Sequence, residues 1–192
     1  MDAKFLTSAF RESQYPPADR PEIAFAGRSN VGKSSLLNVL VNRKKLAKTS
    51  SRPGRTQAIN FFSLGDSFYF VDLPGYGFAR VPLNVKKTWR NMVETYLKRR
   101  LTLNAVVVIF DIRREPSNGD IELLTWLESY GIETIIALTK VDKLSRQKVN
   151  NRVKVIRKKL ENIVKSEPVL FSAKTRQGQI ELWEKINAVS KT

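Results

Sequence analysis

With 192 residues, 42% hydrophobic and 27% charged, the sequence has the size and composition of one soluble domain able to bury a core. It has no cysteine and no histidine, which excludes disulfide frameworks, thiolate metal sites, histidine-based triads and histidine pH switches. Its 34 basic and 18 acidic residues leave a formal charge of +16, a field that favours polyanions, nucleic acid ahead of anionic membrane.

Residues 1–22 lack the apolar core of a signal peptide and include the turn-rich YPPADRP, so they read as a short lead-in. No apolar run approaches the roughly 20 residues of a membrane span, so a cytoplasmic protein without stable membrane insertion is expected. From Ile23 onward apolar runs alternate with helical patterns. Strands are expected at Ile23–Ala26, Ile59–Leu64, Phe68–Asp72, Ala105–Asp111, Thr134–Leu138 and Val169–Phe171, with LGDS as a hairpin turn. Helices are expected from Lys33 to about Asn42, Asn84 to Arg100, Ile121 to Tyr130, after Ser145, and from Gln179 to Val189. The helix after Ser145 carries Val149, Val153, Ile156, Leu160 and Ile163 as one apolar stripe, with Lys and Arg opposite. The order implies an α/β fold: a mostly parallel six-stranded sheet with one antiparallel strand and helices on both faces. Ligands in such folds sit beyond the carboxyl ends of the strands.

The basic residues cluster. Residues 43–55 hold six and no acid, residues 86–100 six and one acid, and residues 140–165 ten and two acids, which is half the net charge. Phe61, Phe62, Phe68 and Phe70 fall on adjacent strands and read as core rather than as RNA-stacking groups; Trp89 and Trp183 read as core or half-buried helix residues.

The first strand runs into GRSNVGKSS, residues 27–35, in which Gly27-x4-Gly32-Lys33-Ser34 matches the P-loop pattern GxxxxGKS/T in full. Its backbone N–H groups and the helix that begins there can cradle phosphates. Lys33 can reach β- and γ-phosphates, and the Ser34 hydroxyl can ligate Mg²⁺. In PGRTQ, Thr56 could complete the metal shell, with Thr49 a rival. In FYFVDLPG, Asp72 at a strand tip can hold Mg²⁺ through water, and the Gly75 N–H can contact a γ-phosphate and swing away when it leaves. ALTKVD ends another strand with Thr139, Lys140 and Asp142. A carboxylate at Asp142 can accept from guanine N1–H and the N2 amine; adenine offers neither pairing. The Lys140 stem can lie along the base. LFSAK places Ser172, Ala173 and Lys174 where a backbone N–H can reach guanine O6.

These elements resemble the five motifs of translation-factor-class GTPases, of the P-loop NTPase fold. More closely, RPEIAFAGRSNVGKSSLLN, TSSRPGRTQAINFF, FVDLPGYGFA and LTKVDK resemble the EngB/YsxC group within the TrmE-Era-EngA-EngB-Septin-like GTPases. The resemblance runs from about Tyr15 to Trp183. It implies a single G domain over residues 23–192 and a monomer that binds GTP and GDP. The group is implicated in large ribosomal subunit assembly and in cell division and septation, so ribosomal RNA or a large-subunit precursor is the implied partner. The nucleotide set it implies is Gly27, Arg28, Ser29, Asn30, Val31, Gly32, Lys33, Ser34 and Ser35; Gly54, Arg55 and Thr56; Asp72, Leu73, Pro74 and Gly75; Thr139, Lys140, Val141 and Asp142; and Phe171, Ser172, Ala173 and Lys174. Mg²⁺ falls to Ser34, Thr56 and, through water, Asp72; catalysis falls to Lys33, Asn30, Thr56 and Gly75.

The sequence departs from the broader pattern twice. Thr139 stands where Asn is usual, so a hydroxyl makes only part of the bonds of an amide. Tyr76 stands where Ras-like GTPases place a water-orienting Gln, so slow intrinsic hydrolysis is expected. In related GTPases lacking that Gln, an Asn at the position of Asn30 helps bind K⁺, which makes K⁺ a second candidate cofactor. The leading expectation is a GTP-operated switch on ribosomal RNA or a pre-ribosomal particle. An ATPase, an RNA-binding module with a structural nucleotide and a membrane-surface GTPase are the competing readings.

Overall fold

The computed structural model describes residues 2–43, 46, 58–76 and 83–190, with 83–86 and 89 described by backbone alone. The strands are β1 (Ala3–Ala9), β2 (Glu22–Gly27), β3 (Ile59–Leu64), β4 (Phe68–Asp72), β5 (Leu103–Asp111), β6 (Glu133–Thr139) and β7 (Val169–Leu170). The helices are α1 (Lys33–Leu40), α2 (Leu83–Arg99), α3 (Asn118–Ser129), α4 (Arg146–Leu160) and α5 (Gln179–Val189). They form one sheet in the order β1-β3-β4-β2-β5-β6-β7. β3 runs antiparallel to both of its neighbours, β1 and β4, and every other pairing is parallel. The expected single antiparallel strand is therefore β3, and LGDS closes its hairpin with β4.

The sheet has seven strands, not six. The additional one, β1, comes from the segment read as a lead-in. Its signal is weak because a register shift between Phe5 and Thr7 breaks the alternation: Ala3 and Ala9 are buried while Phe5 and Leu6 are exposed.

Period-2 alternation along β5 explains the layers. Val106, Val108 and Phe110 face a core closed by α2, α3 and α4. Ala105, Val107 and Ile109 face a second core closed by α1 and α5. Because both faces are covered, AVVVIF and TIIAL are apolar throughout. Phe61, Phe62 and Phe70 are buried and Phe68 packs against the second core, as expected of core residues. Trp183 is half-buried, stacks on Phe70 at 5.5 Å and donates from Nε1 to the Leu40 carbonyl.

At the amino end of β2 the Glu22 side chain is fully buried. It accepts from Tyr96 Oη at 2.8 Å, Thr102 Oγ1 at 3.0 Å and Arg100 Nε at 2.6 Å. Arg100 also donates to the carbonyls of Pro16 and Pro17, pinning the segment that follows β1. A buried carboxylate persists only when paired. Arg100→Ala is expected to destabilise the protein by about 3 kcal/mol, because it strands that charge. Urea unfolding followed by circular dichroism checks this.

Candidate nucleotide-binding site

The predicted motifs meet at the carboxyl ends of β2, β4, β6 and β7. β2 ends at Gly27, where a Cβ would stand 2.9 Å from the Ile109 carbonyl oxygen, so only glycine lets the strand turn beside β5. Asn30 (φ 66°) and Gly32 (φ 103°) then take left-handed backbone, and α1 starts at Lys33. Asn tolerates that region better than most side chains. The turn leaves the first N–H groups of α1 facing the loop's concavity, with the positive end of the helix dipole.

Lys33 Nζ is hydrogen-bonded to Asp72 Oδ1, and both side chains are nearly seven-eighths buried, at 12% and 13% exposure. The phosphate-loop lysine and the strand-tip acid are thus in contact. After Asp72 the chain lies directly on the phosphate loop: Ser29 N donates to the Tyr76 carbonyl at 3.2 Å, and Arg28 and Tyr76 form a parallel bridge. A Cβ on Gly75 would come within 2.9 Å of Ser29 Oγ, so the turn packs closely on the phosphate loop and any larger residue there would have to turn the Ser29 hydroxyl aside. The Tyr76 ring enters the core under α3, with its phenol facing the buried Asp120 carboxylate. Burial first, and that carboxylate second, push the phenol well above its ordinary pKa. Tyr76 therefore contributes its backbone carbonyl and a core ring.

The third loop is tied to the first. The Thr139 hydroxyl is buried between the carbonyls of Val31, at 2.5 Å, and Phe110, at 3.0 Å, so it bonds the phosphate loop to the end of β5. Lys140 has left-handed backbone (φ 63°), and its Nζ donates to the Asn30 carbonyl at 2.6 Å. Asp142 accepts from Ser172 Oγ at 2.8 Å, which joins the third loop to the fourth. That hydrogen bond, opposed by partial burial and aided by Lys143, holds the Asp142 carboxyl below its usual range. The side chains of Val31, Leu73, Val141 and Phe171 are buried in the cores, so only their backbone groups border the loops. Pro74 is buried as well; Ser34 is half-buried, and Ser35, Ala173 and Lys174 are exposed. Gly54, Arg55 and Thr56, and the rival Thr49, lie outside the described residues.

Asp111 belongs with this set and was not among the candidates. It ends β5 with 3% exposure, chelates the Arg113 guanidinium at 2.9 and 2.7 Å, and pairs with Lys140 Nζ at 3.0 Å. Burial pushes its pKa up, but the hydrogen bonds from Arg113 and Lys140 outweigh burial and hold the carboxyl far below the usual range. Asp111 sets Lys140, and Lys140 holds the Asn30 carbonyl. The available signal was an acid ending an apolar strand, as Asp72 does. Asp111→Asn is expected to weaken binding of a fluorescent GDP analogue about tenfold, the worth of one charge-assisted hydrogen bond. Asp111→Glu should restore part of that loss in the same titration.

A phosphate loop, a DLPG turn and a TKVD loop at the strand ends of a mixed sheet define the class as a P-loop GTPase domain. The model of the 50S ribosome-binding GTPase family matches residues 22–140. A probable GTP-binding protein EngB from Geotalea daltonii is 53% identical over 186 residues, covering 97% of this chain and 89% of that protein. One from Geobacter metallireducens is 52% identical over 187 residues, covering 97% and 91%. The crystal structure of a probable GTP-binding protein engB is similar with a TM-score of 0.72 at 27% identity, covering 88% of this chain and 98% of that one. Aquifex aeolicus Era, at 21% identity and a TM-score of 0.66, shares the fold over 90% of this chain and 57% of that one. The chain belongs to the EngB family of GTP-binding proteins.

Proposed function

We propose that the protein is a GTP-operated switch in large ribosomal subunit assembly, carried by a single G domain whose sheet takes in β1 (Ala3–Ala9) as well as residues 23–192, and acting as a cytoplasmic monomer. The observation that carries this reading is the seating of Gly75 and the Tyr76 carbonyl on Ser29, with Lys33 on Asp72 beneath. A γ-phosphate beside Ser29 would have to engage or displace that turn, so phosphate occupancy and turn position are coupled. The match of residues 22–140 to the 50S ribosome-binding GTPase family supports the ribosomal half of the proposal.

In this reading Lys33 moves from Asp72 to the β- and γ-phosphates, and the N–H groups of residues 28–35 wrap the phosphates. Asp142, held by Ser172, accepts from guanine N1–H and the N2 amine, while the Lys140 stem flanks the base and the loop at Ala173 and Lys174 faces O6. The donor set suits Mg²⁺: an oxygen-only carboxylate at Asp72 next to the phosphate-loop lysine, and the half-buried Ser34 hydroxyl one residue after that lysine. Ser34, Thr56 and, through water, Asp72 would hold it, and bound Mg²⁺ neutralises charge on the phosphates. The basic cluster of residues 43–55 lies between α1 and β3, so nucleotide state can gate its contact with ribosomal RNA. A defect in division or septation would follow from failed assembly.

Hydrolysis is slow because the residue after Gly75 puts a ring into the core rather than an amide onto water. The same observation favours the second reading, a ribosome-binding module whose nucleotide is structural. Turnover separates the two: GTP hydrolysis that repeats over many cycles with large subunits, and is outcompeted by GDP but not ATP, supports the switch. No turnover beyond one equivalent supports the module. Asn30 is the proposed K⁺ contact, and hydrolysis should be several-fold faster in KCl than in NaCl of equal ionic strength; equal rates remove K⁺ from the account.

A further inference from the structure

The largest block of positive charge, residues 140–165, extends well past the nucleotide loops. α4 and the segment after it border an open groove of about 560 Å³. Its floor is aliphatic, from Ile136 of β6, Val153, Val164 and Pro168. Its rim carries Lys154, Lys158 and Lys165, all exposed. Lys154 and Lys158 are one helical turn apart on one face, which leaves Ile156 and Leu160 to the core. No carboxylate among the described residues pairs with these lysines. Glu161 is the acid lining the groove, and Arg157 is already matched to Glu167 at 2.7 Å. Elsewhere α4 is only partly compensated: Arg152 and Lys159 share the single carboxylate of Glu115, and Arg146 and Lys148 near its start have no ion pair among the described residues. The groove therefore gathers three uncompensated cations around one recess.

We infer that this groove, rimmed by Lys154, Lys158 and Lys165, is a docking surface for a ribosomal RNA backbone, one that anchors the protein independently of bound nucleotide. The inference rests on the ribosomal reading above and gives it a place. Three unpaired ammonium groups beside a recess are complementary to phosphodiesters, which lysine binds as a point charge. The rim has no aromatic side chain to stack a base, so contact is with the backbone and is sequence-independent. A membrane fits less well: the exposed large apolar residue of α4 is Val155, and the apolar floor is recessed behind the lysines.

Independence from nucleotide follows from topology. The nucleotide loops leave the carboxyl ends of the strands, at Gly27, Asp72 and Thr139. α4 runs back from the carboxyl end of β6 to the amino end of β7, and the groove is bounded by Ile136 in mid-β6 and by Pro168, just before β7. It lies toward the opposite end of the sheet from the loops that respond to a γ-phosphate.

The test compares the full chain, the double variant Lys154→Glu/Lys158→Glu, its milder form Lys154→Gln/Lys158→Gln, and a charge-matched control, Lys4→Glu/Arg11→Glu, at the β1 edge. Each is titrated against a fluorescein-labelled transcript of a large-subunit ribosomal RNA domain and pelleted with large subunits, with GDP and with a GTP analogue. Thermal melting and GDP binding verify that each variant folds. The groove variants are expected to bind the transcript about tenfold more weakly in both nucleotide states, with the slope of log affinity against log salt shallower by about 1–2. The control is expected to match the original. If wild type and groove variants bind RNA and subunits alike, the groove assignment is overturned and the ribosomal reading stands. If wild type binds the transcript through the groove but never pellets with subunits, the ribosomal reading falls and the groove stands. Loss of binding in only one nucleotide state overturns the anchor. So does an effect seen on vesicles of phosphatidylcholine and phosphatidylglycerol but not on RNA, which would assign the groove to membrane.

Discussion

Asp142→Asn is expected to lower affinity for GTP about a thousandfold, from two charge-assisted hydrogen bonds at roughly 2 kcal/mol each, and to raise affinity for XTP. Guanine presents two donors, N1–H and the N2 amine, to an acceptor-only carboxylate. An amide at the same place must turn one of its own donors toward a guanine donor. Xanthine replaces the N2 amine with a carbonyl, which that amide donor can meet. The carboxylate is positioned before the base arrives, since Ser172 Oγ donates to Asp142 Oδ1 at 2.8 Å. The same bond favours the ionised form, so Asp142 is a full acceptor throughout the neutral range. Competition of GTP, XTP and ATP against a fluorescent GDP analogue measures the exchange. An unchanged GTP affinity would show that Asp142 does not read the base.

Lys33→Ala is expected to slow single-turnover GTP hydrolysis about 10³-fold even with enzyme saturating, the usual loss when a charged group directed at developing phosphate charge is removed. Two effects combine at this residue. The variant removes the cation directed at the β- and γ-phosphates. It also leaves Asp72, 13% exposed, without the partner it has in the structure, so an uncompensated carboxylate faces the incoming phosphates. Lys33→Arg should rescue little, because a planar guanidinium cannot occupy the compact position of an ammonium folded between the phosphate loop and a strand tip. Measuring nucleotide affinity alongside the single-turnover rate separates loss of binding from loss of chemistry. A rate within threefold of wild type would remove Lys33 from the catalytic set.

What could be read in the sequence was what is local in the chain. The phosphate loop, DLPG, TKVD and SAK are each a strand end followed by a turn, so residue type, spacing and the preceding apolar run place them together before any contact is known. β1 was not legible, because a bulge interrupts its alternation and two of its apolar side chains, Phe5 and Leu6, face solvent. Asp111 was not legible as a site residue because its meaning is non-local. Its pairing with Lys140, 29 residues on, arises only because parallel register sets Asp111 beside Thr139. Thr139 could be recognised as the position of a usual Asn, but its bonds to the carbonyls of Val31 and Phe110 come from loops far apart in the chain. Tyr76 shows the same limit: its position in the motif was plain, while the choice between facing the phosphates and entering the core is made by the apolar residues packed beneath α3.

Large-subunit cosedimentation in defined nucleotide states tests the switch most directly. The protein, loaded with GDP or with a non-hydrolysable GTP analogue, is pelleted with purified large subunits and their precursors. The account predicts association in both states through a constitutive basic anchor, and at least tenfold tighter association in the GTP-analogue state, where the Gly75 turn and the basic cluster of residues 43–55 are engaged together. Equal affinity in the two states would contradict it.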